Sequence, residues 1–240
     1  YAIGSGAGLI AIVIALRKHV GRITHYFTPN LVLPILKTAW PFGLMGMLGA
    51  IMLNTDSIML GWMRSSEEVG YYSAAQKIIQ LLYIIPTFFT SSIFPFLSRL
   101  VREDRESAKQ ILERSIAGIC AVAIPVALMG IVFGKFIILT LYGEAYLRAI
   151  APFQILIFTV LLTYPAILIG NAIFAYDRQK DFVALILLAI VLNIAGNALL
   201  IPQLGIKGAA IATLLTQIII DGAMAYRLWR TTRFNVVRGF

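Results

Sequence analysis

Long, nearly charge-free apolar runs recur along the whole 240-residue chain and limit its fold more than any other feature. A helix crosses the roughly 30 Å hydrocarbon core of a bilayer with about 20 residues. Seven segments meet or approach that length: residues 1–16, 38–62, 71–97, 115–140, 150–174, 182–201 and 208–228. Hydrophobic residues make up 60% of the chain and charged residues 13%, against roughly 45–50% and about 25% in soluble domains. The chain reads as an all-α membrane protein, a multi-span helical bundle. The runs are too long for the alternating strands of about 9–11 residues that build a membrane barrel. They recur along the full length, so a signal peptide is not their source. The chain opens at Tyr1 already inside an apolar run and reads as starting partway into a transmembrane helix.

Basic residues between the runs are distributed unevenly. Arg17, Lys18, Arg22 and Lys37, then Arg99, Arg102, Arg105, Lys109 and Arg114, then Arg178 and Lys180 occupy alternate connections, and Arg227, Arg230, Arg233 and Arg238 follow the last run. The other connections hold only Arg64, Lys135, Arg148 and Lys207. Excess Lys and Arg mark cytoplasmic loops, so the first group is expected inside, with the C-terminus cytoplasmic. The net charge of +9 is accounted for by these loops and does not point to nucleic acid. Residues 98–115 mix both signs, with Arg102 and Glu106 at i, i+4, and read as a solvated cytoplasmic helix. His19 and His25 have no Cys or paired His nearby, which points away from a metal site. Cys120, the single cysteine, lies in an apolar run and reads as a small hydrophobe.

Polar residues inside the spans carry the functional information, because ionisable groups at membrane depth are costly and mark functional interiors. In the third run Ser73, Gln76, Lys77, Gln80, Tyr83, Thr87 and Ser91 recur in steps of three or four and share one helix face. That stripe predicts a hydrated cavity. Asn193 and Asn197 share a face of the sixth run, Asn171 lies near the inner end of the fifth, and Gln217 and Asp221 share a face of the seventh. Asp56, within "AIMLNTDSIMLGW", falls at a depth similar to that of Lys77 on the next helix, so the two are expected to pair in one conformation and to separate when a substrate head group or a proton competes; the alternative is that each snorkels separately to the outer interface. Asp56 and Asp221 are the candidates for ion or charge coupling. Pro41, Pro86, Pro125 and Pro165 fall within spans and are expected to break or bend them.

There is no P-loop, HExxH, GxSxG or Cys/His cluster, so the chain does not read as an enzyme. No cofactor is expected beyond coupling to H⁺ or Na⁺. "IGNAIFAYDRQKDF" (169–182), followed by "LNIAGNALLIPQLGIKGAAIATLLTQII" (192–219), resembles the C-terminal region of polysaccharide-type flippases. These belong to the multidrug/oligosaccharidyl-lipid/polysaccharide (MOP) exporter superfamily, with the multidrug and toxic compound extrusion (MATE) exporters and the lipid II flippases. Residues 54–100 are similar to the first hairpin of that family's C-terminal lobe, and the likeness covers about residues 35–230. The resemblance implies one six-helix lobe of a two-lobe MATE-like transporter plus one preceding helix. Residues 1–16 would then be the last helix of an N-terminal lobe whose remainder is missing here. Residues 17–37 would be a cytoplasmic connector, 38–230 the C-terminal lobe and 231–240 a cytoplasmic tail.

The function so implied is flipping of a polyprenyl-linked oligosaccharide across the cytoplasmic membrane of a prokaryote, by alternating access. Ser73, Gln76, Lys77, Gln80, Thr87, Asn171, Asn193 and Asn197 would line its path. The partners would be the lipid-linked substrate, membrane lipids and the missing lobe, with no nucleic acid. A cation-coupled MATE-type exporter, or a flippase of the lipid II type, is the alternative. The charge asymmetry makes a direct prediction. After removal of Cys120, single cysteines at Glu67, Glu144 and Gln203 should react with an impermeant thiol reagent in sealed, right-side-out cells, and those at Arg105 and Lys180 should not. Labelling of Arg105→Cys would reverse the orientation.

Overall fold

A computed structural model describes residues 6–8, 11–15, 28–176 and 179–234. Arg17, Lys18, His19, Arg22, His25, Arg178 and Arg238 lie outside the described residues, as do most of the connector over 17–37 and the end of the tail. The helices are α1 (Pro29–Met63), α2 (Ser66–Leu82), α3 (Ile84–Glu103), α4 (Arg105–Tyr142), a 3₁₀ turn (Glu144–Ala149), α5 (Ile150–Leu156), α6 (Phe158–Ala175), α7 (Gln179–Leu204) and α8 (Ile206–Thr232). The chain divides into two compact units, Tyr1–Gly46 and Met47–Phe240. Among the described residues, five helical segments are long and apolar enough to cross a membrane: Ser66–Glu103, Arg105–Tyr142, Phe158–Ala175, Val183–Leu204 and Ile206–Thr232. They coincide with the last five apolar runs, and α1 carries the 38–62 run as one unbroken helix.

Outward faces are apolar, as a bilayer requires of a bundle: Phe88, Phe96, Val132, Phe136 and Leu199 are all exposed. Inside, two apolar clusters hold the second unit together. One gathers Tyr72, Ile79, Phe153, Ile157, Tyr164 and Ile201, and the other Leu112, Ile116, Leu168, Ile173, Met224 and Leu228. Small residues set the spacing of α7 and α8. A Cβ on Gly196 would sit 3.1 Å from the Ala212 Cβ, and one on Gly208 would sit 2.2 Å from the Leu200 carbonyl oxygen. Without a hydrophobic drive between helices in lipid, such close backbone approach is what holds them. Gly205, between the two helices, has φ 58, a left-handed conformation that a side chain would strain. At the same turn the Arg64 guanidinium donates to Pro202 O (2.7 Å) and adds a second donor, at 2.8 Å, to Ile201 O, which already accepts from the Gly205 N–H.

Two helix breaks face each other inside the bundle. Pro86 has no N–H to give the Leu82 carbonyl four residues earlier, and the chain bends at Tyr83, between α2 and α3. The Tyr164 hydroxyl of α6 donates to that carbonyl instead, at 2.9 Å. The second break, at Ile157 between α5 and α6, contains no proline. There the Val160 N–H turns to Ile157 O, and the Thr159 hydroxyl donates to the freed Leu156 carbonyl at 2.5 Å. Thr159 has one proton to give, so the 2.7 Å bond between the Tyr83 and Thr159 hydroxyls is donated by Tyr83. Each break thus supplies a donor to the other. Of the four prolines expected to interrupt spans, only Pro86 sits at a break, while α4 and α6 run on through Pro125 and Pro165. Backbone groups freed at a proline can be satisfied within the bundle without ending the helix.

Residues 98–115 are not one helix. α3 ends at Glu103, and Asp104 caps α4 by accepting from the Glu106 and Ser107 amides. The bond from the Ser107 hydroxyl, followed by that from its amide, holds the Asp104 carboxyl below the usual carboxylate range. Arg102 and Glu106 therefore fall on different helices, and the i, i+4 pair that forms here is Arg99–Glu103 at 2.9 Å. The glycine spacing of the α7–α8 turn offers a clean test. Gly208→Ala should cost about 1–3 kcal/mol through backbone overpacking and lower the melting temperature in detergent. Gly222→Ala, with nothing within 4 Å of the added Cβ, should not destabilise the protein.

Candidate functional site

Asp56 lies on α1 seven residues before its end, within the second unit, and is only 3% exposed. A buried carboxylate is costly unless hydrogen bonds replace its water. Four donors do so here. The Tyr72 hydroxyl of α2 (2.5 Å) and the Thr213 hydroxyl of α8 (2.6 Å) donate to Oδ2. The Asn193 and Asn197 amides of α7 (3.1 and 2.7 Å) donate to Oδ1. The donors also align with one another: Asn197 Nδ2 reaches Asn193 Oδ1 at 3.1 Å, and Asn193 Nδ2 reaches Thr213 Oγ1 at 3.3 Å. All four are neutral, so the carboxylate is held by dipoles from three helices and not by an opposite charge.

The network forms one wall of a cavity of about 90 Å³. Gln76, Gln80 and Tyr83 line it from the polar stripe, and Thr216 and Gln217 from α8. Gln76 also ties α2 to α1, donating to the Leu53 carbonyl at 3.0 Å.

The expected Asp56–Lys77 pair does not form. Lys77 is exposed on α2, and the groups that reach the Asp56 carboxylate are hydroxyls and amides. Similar depth placed the two charges near each other, but α2 turns Tyr72, five residues earlier, toward Asp56, and hydroxyls and amides fill the carboxylate. The stripe itself divides. Ser73 is half-buried and does not line the cavity, while Thr87 and Ser91 are exposed and donate to carbonyls of their own helix turns. Asn193 and Asn197 come together with Asp56. Asn171 and Asp221 do not, and line a second cavity of about 330 Å³ with Thr163 and Gln217. Tyr72 and Thr213 are the partners that sequence reasoning missed. A tyrosine and a threonine among alanines at span ends are ordinary residues until the carboxylate they face is known.

A family model described as "Polysaccharide biosynthesis protein" matches residues 6–151. The chain belongs to this family. With the relatives that follow, this match agrees with the resemblance read from the residue patterns at 54–100 and 169–219. The chain is 33% identical over 165 residues to a probable flippase, AglR, of Haloferax volcanii, covering 67% of this chain and 34% of that one. It is 25% identical over 162 residues to a probable low-salt glycan biosynthesis flippase, Agl15, of the same organism, again covering 67% and 34%. The chain therefore spans about a third of the length of these curated relatives. A solved structure of an outward-facing multidrug resistance MATE family transporter of the MOP superfamily superposes with a TM-score of 0.68. The identity is 16%, with 78% of this chain and 43% of that one covered. That likeness shows the fold: a multi-span, all-helical membrane bundle.

If neutral dipoles hold Asp56, removing one donor should unsettle the bundle, while removing the Lys77 charge should not. Tyr72→Phe should cost about 1.5–3 kcal/mol, the worth of a hydrogen bond to a charged group. Asp56→Asn should cost at least as much, because its amide N–H₂ enters a ring of donors. Lys77→Gln should leave the unfolding midpoint unchanged. A large loss in Lys77→Gln with none in Tyr72→Phe would restore the ion pair.

Proposed function

We propose that this family member forms part of a flippase that carries a polyprenyl-linked oligosaccharide from the cytoplasmic to the outer leaflet of a prokaryotic cytoplasmic membrane. The observation that carries the reading is a cavity that places Asp56, Gln76, Gln80 and Asn193 along one lining, inside a membrane bundle of the polysaccharide biosynthesis family. The names of the Haloferax relatives point the same way. A sugar–pyrophosphate head needs a hydrated, hydrogen-bonding route, and the amides of Gln76, Gln80 and Asn193 supply donors and acceptors for one. The lipid tail remains in the bilayer. Lys77, exposed on the same helix, supplies a point charge for the phosphates.

Residues 38–230 act in this reading as one lobe, rocking against a second lobe supplied by the rest of the protein. The C-terminus is cytoplasmic, on the strength of the basic asymmetry. Asp56 couples transport to a cation. Its surroundings (Tyr72 Oη, Thr213 Oγ1 and the two asparagine Oδ1 atoms) are oxygens that can rotate toward a small monovalent ion. The Asn197 Oδ1, buried without a partner, is one acceptor already free to do so. Transport then follows an imposed Na⁺ or H⁺ gradient.

The test is reconstitution of the full-length protein in liposomes with a fluorescent lipid-linked oligosaccharide, scored by outer-leaflet capture and normalised to folded protein. The wild type should translocate the lipid. Gln76→Leu/Gln80→Leu should slow it about tenfold or more, and Asp56→Asn should remove the dependence on the gradient. Translocation at the wild-type rate by the double variant would overturn the assignment of the path.

A further inference from the structure

The last turns of α8 concentrate charge that the Asp56 network does not use. Arg227, Arg230 and Arg233 follow one another at steps of three, and residues 222–234 contain no Asp or Glu. α8 runs for 27 residues, about 40 Å at 1.5 Å per residue, and about 20 of those residues cross the hydrocarbon core. Lys207 marks the interface at its start, so the chain from about Arg227 onward lies in the headgroup layer at the other end. Tyr226 and Trp229, 58% and 40% exposed, stack there with ring centroids 6.2 Å apart. Leu215, Ile219, Gly222, Tyr226 and Trp229 recur at steps of three and four and are all exposed, so one open face of the helix runs from the apolar core up to the arginines.

Basic residues at a helix C-terminus ordinarily answer its open carbonyls. Here other groups do so: the Thr231 and Thr232 hydroxyls donate to the Arg227 and Leu228 carbonyls, and the Arg233 N–H donates to the Trp229 carbonyl. Arg233 adopts φ 53, a left-handed conformation uncommon outside glycine. That turn sends Phe234 into the apolar cluster of Leu97, Leu112 and Leu228. It leaves the Arg233 guanidinium over the Trp229 ring, 4.5 Å from the centroid. Among the described residues no ion pair involves Arg230 or Arg233, and both are exposed. A cation–π contact orients a guanidinium without neutralising it. We propose that this end of α8 binds the headgroup of an anionic phospholipid. Arg230 and Arg233 supply the forked donors that match phosphate oxygens, the Tyr226–Trp229 pair receives the glycerol region, and the acyl chains follow the open face past Ile219 and Leu215. That apolar track favours a lipid over free phosphate. The bound lipid fixes the depth of α8, whose Thr213 donates to Asp56. The site does not depend on the lipid-linked oligosaccharide reading.

The proposal is tested by native mass spectrometry of the full-length protein in detergent, titrated with phosphatidylglycerol or with phosphatidylcholine of the same acyl chains. Phosphatidylglycerol should fill the tightest site about tenfold or more strongly than phosphatidylcholine, since each arginine near a phosphate contributes severalfold. Arg230→Gln/Arg233→Gln should erase that preference and leave phosphatidylcholine binding as it is. Trp229→Leu, which frees the Arg233 guanidinium from its ring, should reduce the preference a few-fold. Lys207→Gln, at the other end of the same helix, should leave it intact. A large excess of inorganic phosphate should not displace the lipid, because it lacks the chains that lie along α8. If the double variant does not fold, Arg233→Gln alone, with a loss of a few-fold, carries the test. Equal binding of the two lipids, an undiminished preference in the arginine variants or in Trp229→Leu, an equal loss in Lys207→Gln, or displacement by inorganic phosphate would each overturn the proposal.

Discussion

The arrangement of α1, α2, α7 and α8 depends on one buried carboxylate. Asp56 cannot reach bulk water at 3% exposure, and no cation reaches it, so its stability rests on donors from three other helices. Tyr72 must point in from α2, Asn193 and Asn197 from α7 a turn apart, and Thr213 from α8. Each requirement fixes the rotation of a helix about its own axis. The small residues at Gly196, Gly208 and Ala212 bring α7 and α8 close enough for their side chains to share one acceptor. Packing and polar satisfaction therefore specify the same geometry.

Backbone accounting governs the rest of the interior. A carbonyl left open in the middle of a membrane costs several kcal/mol, so every helix break must be answered locally. The breaks at Tyr83 and Ile157 answer each other through Tyr164 and Thr159. Gly130 lies against the second break, and a Cβ there would come within 2.4 Å of Ile157 Cγ1. The consequence is mechanical: straightening either break would pull apart the Tyr83–Thr159 hydroxyl bond that joins them. Tyr83 and Leu156 also line the Asp56 cavity, which places the bend beside the proposed path.

Part of the site was legible from residue type alone. Asp56, Asn193, Asn197 and Asp221 announced themselves because polar groups at membrane depth are expensive, and the structure buries the first three together. The partners of Asp56 were not legible in the same way. Depth along neighbouring helices can be counted from sequence, and it placed Lys77 level with Asp56. Helix rotation cannot be counted, and it turned Lys77 outward and Tyr72 inward. The stripe from Ser73 to Ser91 divides for a related reason: Gln76, Gln80 and Tyr83 line the cavity, and the bend at Tyr83 redirects Thr87 and Ser91.

By itself the sequence determined that the chain is helical, that it spans a membrane repeatedly, and which family its residues at 54–100 and 169–219 resemble. Those properties follow from the length and composition of apolar runs and from local motifs, which are additive along the chain. Only the tertiary structure decided that Asp56 is held by neutral dipoles, that Pro86 marks a break while Pro125 and Pro165 do not, and that the polar residues sort into two cavities. Those outcomes depend on which faces of separate helices meet, and that is set by the close packing of small residues and by the need to give every buried polar group a partner.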